Sequence, residues 1–253
     1  MFNLLDYPFL ILVLSFTIFW VSASIGAWFR KRTHHLGEDA HEDFAFILGA
    51  TLTLLGLIIG FTFSMAVSRY DQRKNYEEQE ANAIGTEYVR ADLLSATDAA
   101  RVRGLLKGYL DQRILHYKSR DSRQRQKTEA ESARLQNEMW SAVVGPTKAQ
   151  PTQIAALVVS GMNDVLNSQG YTQAAWWNRI PTAAWALLVL ISIFCNVLIG
   201  YGTHGRGAFL FLILPIALSI SLFLIADIDS PRGGVIRVRP QNLESLAESL
   251  HSS

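Results

Sequence analysis

Between residues 44 and 94 the chain has no proline, and the run falls into two halves of opposite character. The first half, 44–68, carries no charged residue and reads FAFILGATLTLLGLIIGFTFSMAVS. The second continues as SRYDQRKNYEEQEANAIGTEYVRADLL, polar but still rich in helix formers. A helix rises ~1.5 Å per residue, and the hydrocarbon core of a bilayer is ~30 Å thick. The uncharged half is therefore long enough to span a membrane, and the polar half carries the same helix on into water.

Helical phase says what such a helix can be used for. At ~100° per residue, Leu54, Leu57, Phe61, Met65, Ser68, Gln72, Asn75, Gln79, Asn82 and Thr86 fall on one stripe. The stripe is apolar as far as Met65 and uncharged but polar from Ser68 onward, while most charges (Arg69, Arg73, Lys74, Glu77, Glu80, Glu87) lie on other faces. An apolar ring followed by a wet neutral wall is what a pore-lining helix needs, because hydrophobic constrictions gate by losing water. The competing reading is ordinary packing, with the Gln/Asn part as a polar seam between subunits.

Three more uncharged runs have membrane length: 7–29, 180–203 and 207–226. The first ends in Trp20, Trp28 and the Arg30-Lys31-Arg32 cluster, an interfacial anchor. It has no basic n-region, and its apolar stretch exceeds that of a cleavable signal peptide. The expected fold is an all-α integral membrane protein with four transmembrane helices and a helical cytoplasmic domain inserted between spans two and three. The segments are 1–68 (spans one and two), 69–179 (the helical domain, continuous with span two), 180–227 (spans three and four) and 228–253 (a cytoplasmic tail). Net charge is +1, which offers nucleic acid no electrostatic reason to bind, and the lone Cys195 excludes a disulfide framework.

Within 69–179 the pattern predicts helices broken near Ser95-Ala-Thr97-Asp98, where a new N-cap stands, and again at Gly145-Pro146. The stretch 119–134 is almost wholly polar and reads as an exposed or partly mobile helix. Pro215 predicts a kink in the fourth span, and 241–250 a short amphipathic helix. The short link 200–207 makes the last two spans antiparallel neighbours. Near the span ends, Arg69, Arg73, Lys74, Arg179, Arg232, Arg237 and Arg239 stand against Arg30, Lys31, Arg32 and Arg206. That balance places both termini and the large domain in the cytoplasm.

Smaller constellations have a functional and a plain reading each. Gly56, Gly60 and Ser64 recur at four-residue intervals, which lets helix backbones approach closely in lipid. His34, His35 and His41 with Glu38, Asp39, Glu42 and Asp43 match no recognised ligand spacing, and a solvated loop is the plainer account. Asp227, Asp229 and Arg232, with Arg69, form an ion site or an ion pair at the membrane surface. Glu80, Glu87, Arg90 and Asp92 read as a solvated salt-bridge face. No catalytic motif is present: there is no HExxH, no GxSxG and no glycine-rich phosphate loop.

The motifs GFTFS (60–64), SRYD (68–71), EANAIGT (80–86), RADLL (90–94) and DIDSPRGG (227–234) together resemble the bestrophin-like family of bacterial membrane proteins. The resemblance covers nearly the whole chain. Bestrophins are oligomeric anion channels, pentamers in the best-known forms, with four spans, a cytosolic helical domain and an apolar neck on the second span. By that resemblance Leu57, Phe61 and Met65 form the neck; Ser68, Gln72, Asn75, Gln79, Asn82 and Thr86 line the vestibule; and the partners are copies of the same chain, the lipid bilayer and a permeant anion. The chain departs from the family where bestrophins carry consecutive acidic residues that bind Ca²⁺, since only Asp227 and Asp229 stand there. No other cofactor is implied. Two other classes fit four spans with a large segment between the second and third: a stator-like proton-channel or motor subunit, and a membrane scaffold or signalling protein without conduction.

Overall fold

The computed structural model describes residues 4–32, 38–202 and 210–252, with side chains for 5–32, 42–202 and 212–252. The described residues form helices and no strand: α1 (Pro8–Arg32), α2 (Glu38–Arg90), α3 (Ala96–Lys118), α4 (Ser122–Ala149), α5 (Gln153–Trp177), α6 (Thr182–Gly202), α7 (Leu210–Asp229) and α8 (Gln241–Ser252). Four helical stretches are long and apolar enough to cross a membrane. By their uncharged runs these are α1, the first half of α2, α6 and α7. The all-α membrane fold expected from the runs is the fold observed. The link between α6 and α7 lies outside the described residues.

Two compact units divide the chain, one of Met1–Tyr70 with Arg179–Arg237 and one of Asp71–Asn178 with Val238–Ser253. The segment 228–253 is shared between them, with α8 belonging to the second.

In the first unit α1 packs on α6 and α7 around Phe19, Leu188, Cys195, Leu222 and Ile225. The closest approach comes from two glycines. A Cβ on Gly26 would meet the Val197 carbonyl oxygen, and one on Gly200 would meet that of Ala23. The backbones of α1 and α6 therefore touch, which small residues permit in lipid. Just beyond, Arg30 Nη1 donates to the Tyr201 carbonyl at 2.8 Å. Three hydroxyls inside the spans turn back on their own helices: Ser22 donates to Ile18 O, Thr62 to Ile58 O and Ser219 to Pro215 O. Such bonds remove the cost of an unpaired hydroxyl in hydrocarbon.

In the second unit the polar half of α2 packs with α3, α4, α5 and α8 around Ile84, Val102, Leu106, Leu110, Met139, Val143, Met162, Val165 and Leu243. Each fully buried side chain of this kind contributes ~1.5–3 kcal/mol over its exposed state. The new N-cap expected near Ser95 is there: Ser95 Oγ accepts from Asp98 N at 3.3 Å. Thr152 caps α5 in the same way, accepting from Ala155 N at 3.0 Å. Of the two readings of the polar stretch 119–134, the exposed helix is the one observed from Ser122 on, started by Asp121, whose Oδ1 accepts from Arg123 N at 3.1 Å. One local expectation is corrected. Pro146 does not end its helix, which continues to Ala149. A proline this near the C-terminus removes only one late backbone bond, and Thr147 Oγ1 donates to the nearby Val143 and Val144 carbonyls at 3.0 and 3.1 Å.

Candidate functional site

Helix α2 has one face that is uncovered among the described residues. In the first unit Leu54, Leu57, Phe61, Met65 and Ser68 are exposed, Leu57 at 54% and Phe61 at 62%. In the second, Gln72, Asn75, Gln79, Asn82 and Thr86 are exposed. These are the ten residues of the stripe, and the helix turns its other side inward: Leu55, Thr62 and Ala66 are buried in the first unit, Arg73, Ala81 and Ile84 in the second. A span whose bulky side chains stand this bare leaves Leu, Phe and Met available to lipid or to another protein surface.

Gly56 and Gly60 lie on the uncovered side as well. A Cβ at either would meet nothing within 4 Å, and Ser64 is exposed. The close backbone approach read into these residues occurs within the chain elsewhere, at Gly26 and Gly200. Gly26 does follow Ser22 by four residues, a signal that was passed over, whereas Gly200 has Asn196 at that interval and nothing to flag it.

The inward face of polar α2 corrects the expectation of a solvated salt-bridge surface. Glu77, Glu80 and Glu87 are all buried. Glu80 pairs with Arg113 of α3 and also accepts from Tyr117 Oη at 3.4 Å and Thr172 Oγ1 at 3.2 Å. Burial alone would pull the Arg113 guanidinium down; the Glu80 charge and hydrogen bond outweigh it and hold it above its usual range. Burial also pushes the hydroxyls of Tyr109 and Tyr117 up, with the Glu80 charge adding to it. Glu77 receives the N-terminus of α8: the N–H groups of Asn242 and Leu243 donate to Oε1 at 3.0 Å each, and Asn242 Nδ2 to Oε2 at 2.6 Å. Burial raises Glu77 above the usual carboxylate value, and these donors work against it. Arg73 turns inward and its Nε donates to the Ala175 carbonyl at 3.4 Å. Only Arg90, half-buried, and Asp92, exposed and paired with Arg103, keep contact with water as expected.

After the last span the two carboxylates serve the backbone. Asp227 accepts from Val235 N at 2.7 Å and from Ile236 N at 2.8 Å, closing the turn that follows α7. Asp229 accepts from Ile180 N at 3.2 and 3.3 Å, fixing the entry to α6. Gly233 and Gly234 are needed here, since a Cβ would strike the Asp6 carbonyl or the Asp227 side chain. The pairing of Asp227 with Arg69 is not formed among the described residues. Arg69 makes no ion pair among the described residues, and its Nη1 is buried without a hydrogen bond. No three His, Cys, Asp or Glu side chains gather as a metal site among the described residues. His34 and His35 lie outside them, as do the side chains of Glu38, Asp39 and His41.

A family model for the Bestrophin-like domain matches residues 17–243. The chain belongs to the bestrophin-like family. It is a membrane protein of that family, and its fold is found again in crystal structures of a bacterial bestrophin homologue from Klebsiella pneumoniae. One superposes with a TM-score of 0.65 at 13% identity, covering 96% of this chain and 97% of the other. Another gives 0.65 at 14% identity over 97% and 98%, and a third 0.63 at 14% over 95% and 94%. No curated protein matches the chain. At such identities the likeness is one of fold, so roles for individual residues in this bestrophin-like protein rest on its own geometry.

Proposed function

We propose that this protein assembles with copies of itself, with α2 nearest the symmetry axis, into an ion channel whose permeant ions are anions. The observation that carries the reading is the uncovered face of α2, apolar through Leu57, Phe61 and Met65 and uncharged but polar from Ser68 to Thr86. Family membership adds the expectation of an oligomeric anion channel, with five subunits as the first number to test. In a ring of copies the three apolar residues would narrow the path where water is most easily lost, and the Gln, Asn and Thr side chains would keep the rest wet. The reading needs no resident cofactor and no catalytic residue. Ca²⁺ control forms no part of it, because Asp227 and Asp229 already accept backbone N–H groups. The basic-residue balance supports an inner-membrane protein with both termini in the cytoplasm, so reporter fusions at Ser253 and within 119–134 should both read cytoplasmic.

The deciding experiment is Phe61→Ala in liposomes. At ~0.3–0.6 kcal/mol per large apolar residue on the insertion scale, the span still inserts without this one. The variant should elute as wild type does and pass chloride faster, with Leu57→Ala weaker in the same direction. If Phe61 instead packs between helices, the variant loosens the assembly and flux does not rise. Normal assembly with no gain at Leu57, Phe61 or Met65 removes the neck.

A further inference from the structure

Three carboxylates sit on the buried side of polar α2, and two of them have protein partners. Glu77 holds the start of α8 and Glu80 holds Arg113. Glu87 has none: both of its oxygens are buried and neither makes a hydrogen bond among the described residues. Its side chain lies directly against α5, because the Cβ that Gly161 lacks would fall on Glu87 Oε2 and beside Arg90 Nη1. A side chain at 161 would have to push the ends of the Glu87 and Arg90 side chains aside.

The charged groups facing Glu87 are Arg90, one turn further along α2, and Asp164 on α5. Arg90 favours the ionised carboxylate and Asp164 opposes it, but neither completes a bond to it. An ionised carboxylate without donors is costly to bury, so this packing selects the neutral acid. Ionisation demands water or a donor at Oε2, where the α5 backbone now sits.

We propose that the Glu87–Gly161 contact is a proton-operated latch: neutral Glu87 lets α5 close on α2, and ionised Glu87 drives them apart. Burial places its titration in a useful range, since the group is pushed up to about 8. A carboxyl raised in the closed state binds more protons there than in the open state. The latch is therefore at full strength below the ordinary carboxylate range and weakens as pH rises toward about 8. This device belongs to the second unit alone and does not rest on the conduction reading.

The test is hydrogen exchange of the full chain in lipid, with protons as the only ligand varied. After correction for intrinsic chemistry, opening of the α5 segment around Gly161 should rise by up to ~tenfold per pH unit between about pH 5.5 and about pH 7.5, the limit for one proton. Glu87→Gln keeps the shape and cannot ionise, so its α5 should stay protected with no such slope. Gly161→Ala, whose methyl would take the place of the Glu87 carboxyl end, should lose the slope. A flat wild type, or the same slope in Glu87→Gln, overturns the proposal. Should Glu87→Gln misfold, infrared difference spectra of wild type with ¹³C-labelled glutamate decide: a protonated carboxyl band lost on raising pH across this range supports the latch, and its absence overturns it.

Discussion

Glu80 of α2 and Arg113 of α3 meet as an ion pair with 0% and 2% of their side chains exposed. Tyr117 and Thr172 donate to the same carboxylate, so helices α2, α3 and α5 converge on one charge. A buried pair is weak evidence of net stability, but removing one partner leaves a charge in the interior with nothing to balance it. Arg113→Met should therefore destabilise the second unit by about 3–5 kcal/mol. Replacing both, as Glu80→Gln with Arg113→Met, should recover much of that loss. Thermal unfolding of the single and double variants checks this; equal losses in both would mean that packing, not charge, holds the site.

The Glu77 carboxylate stands where a helix N-cap would, but comes from a different helix. Loss of its bonds to Asn242 and Leu243 strands the first N–H groups of α8. Glu77→Ala should cost about 1–2 kcal/mol, near the upper range for a lost cap, and should release α8 before the rest of the unit. Limited proteolysis shows this as early cleavage in 241–252, with α3 to α5 still resistant. Cleavage no faster than in wild type would mean that Leu243 and Leu250 hold α8 by apolar contact alone.

Gly200 and Gly60 make a controlled comparison of two small-residue sites. A side chain at 200 meets the Ala23 carbonyl, whereas one at 60 meets open space in the chain. Gly200→Val should separate α1 from α6 and lower the stability of the subunit itself, by at least the ~1–3 kcal/mol of an overpacked core. Gly60→Val should leave the subunit folded. Any loss it causes should fall on the association of copies, seen by size exclusion as smaller particles. A wild-type oligomer in Gly60→Val would show that the Gly56–Gly60 edge packs against nothing but lipid.

These contrasts mark what could be read from the chain beforehand. Spans are legible because lipid demands long uncharged runs, and the α2 stripe is legible because helical phase sorts Leu57, Phe61 and Gln72 from Arg73 and Glu77. The buried carboxylates were not, because Glu80 and Glu87 have ordinary helix spacing and their partners, Arg113 and Gly161, are distant in sequence. Charge on a helix is normally solvated, so only the tertiary contact reveals the exception. The backbone roles of Asp227 and Asp229 were not legible either: an acidic pair beside basic residues suggests an ion site, and nothing local in the sequence shows that these carboxylates also accept the N–H groups of Val235, Ile236 and Ile180.

The assignment of α2 to a symmetry axis can be tested through the phase of neighbouring residues. Gln72 and Gln79 are exposed on the uncovered face, about 10 Å apart along the helix. Arg73, one residue away, is turned inward with 1% exposure. Cys195 is buried among α1, α6 and α7, so Cys195→Ala removes the native thiol without touching this face. On that background, Gln72→Cys and Gln79→Cys should each crosslink between copies under mild oxidation. If the residues ring an axis, short bifunctional reagents should extend the products to a ladder whose highest rung counts the subunits. Arg73→Cys should stay reduced in the folded protein, because its sulfur would lie inside its own subunit. Crosslinking at Arg73 as fast as at Gln72 would mean that α2 is rotated or loosened in the membrane. No crosslinking at Gln72 or Gln79, from a particle shown to be oligomeric, would move the axis to another helix and remove α2 from the pore.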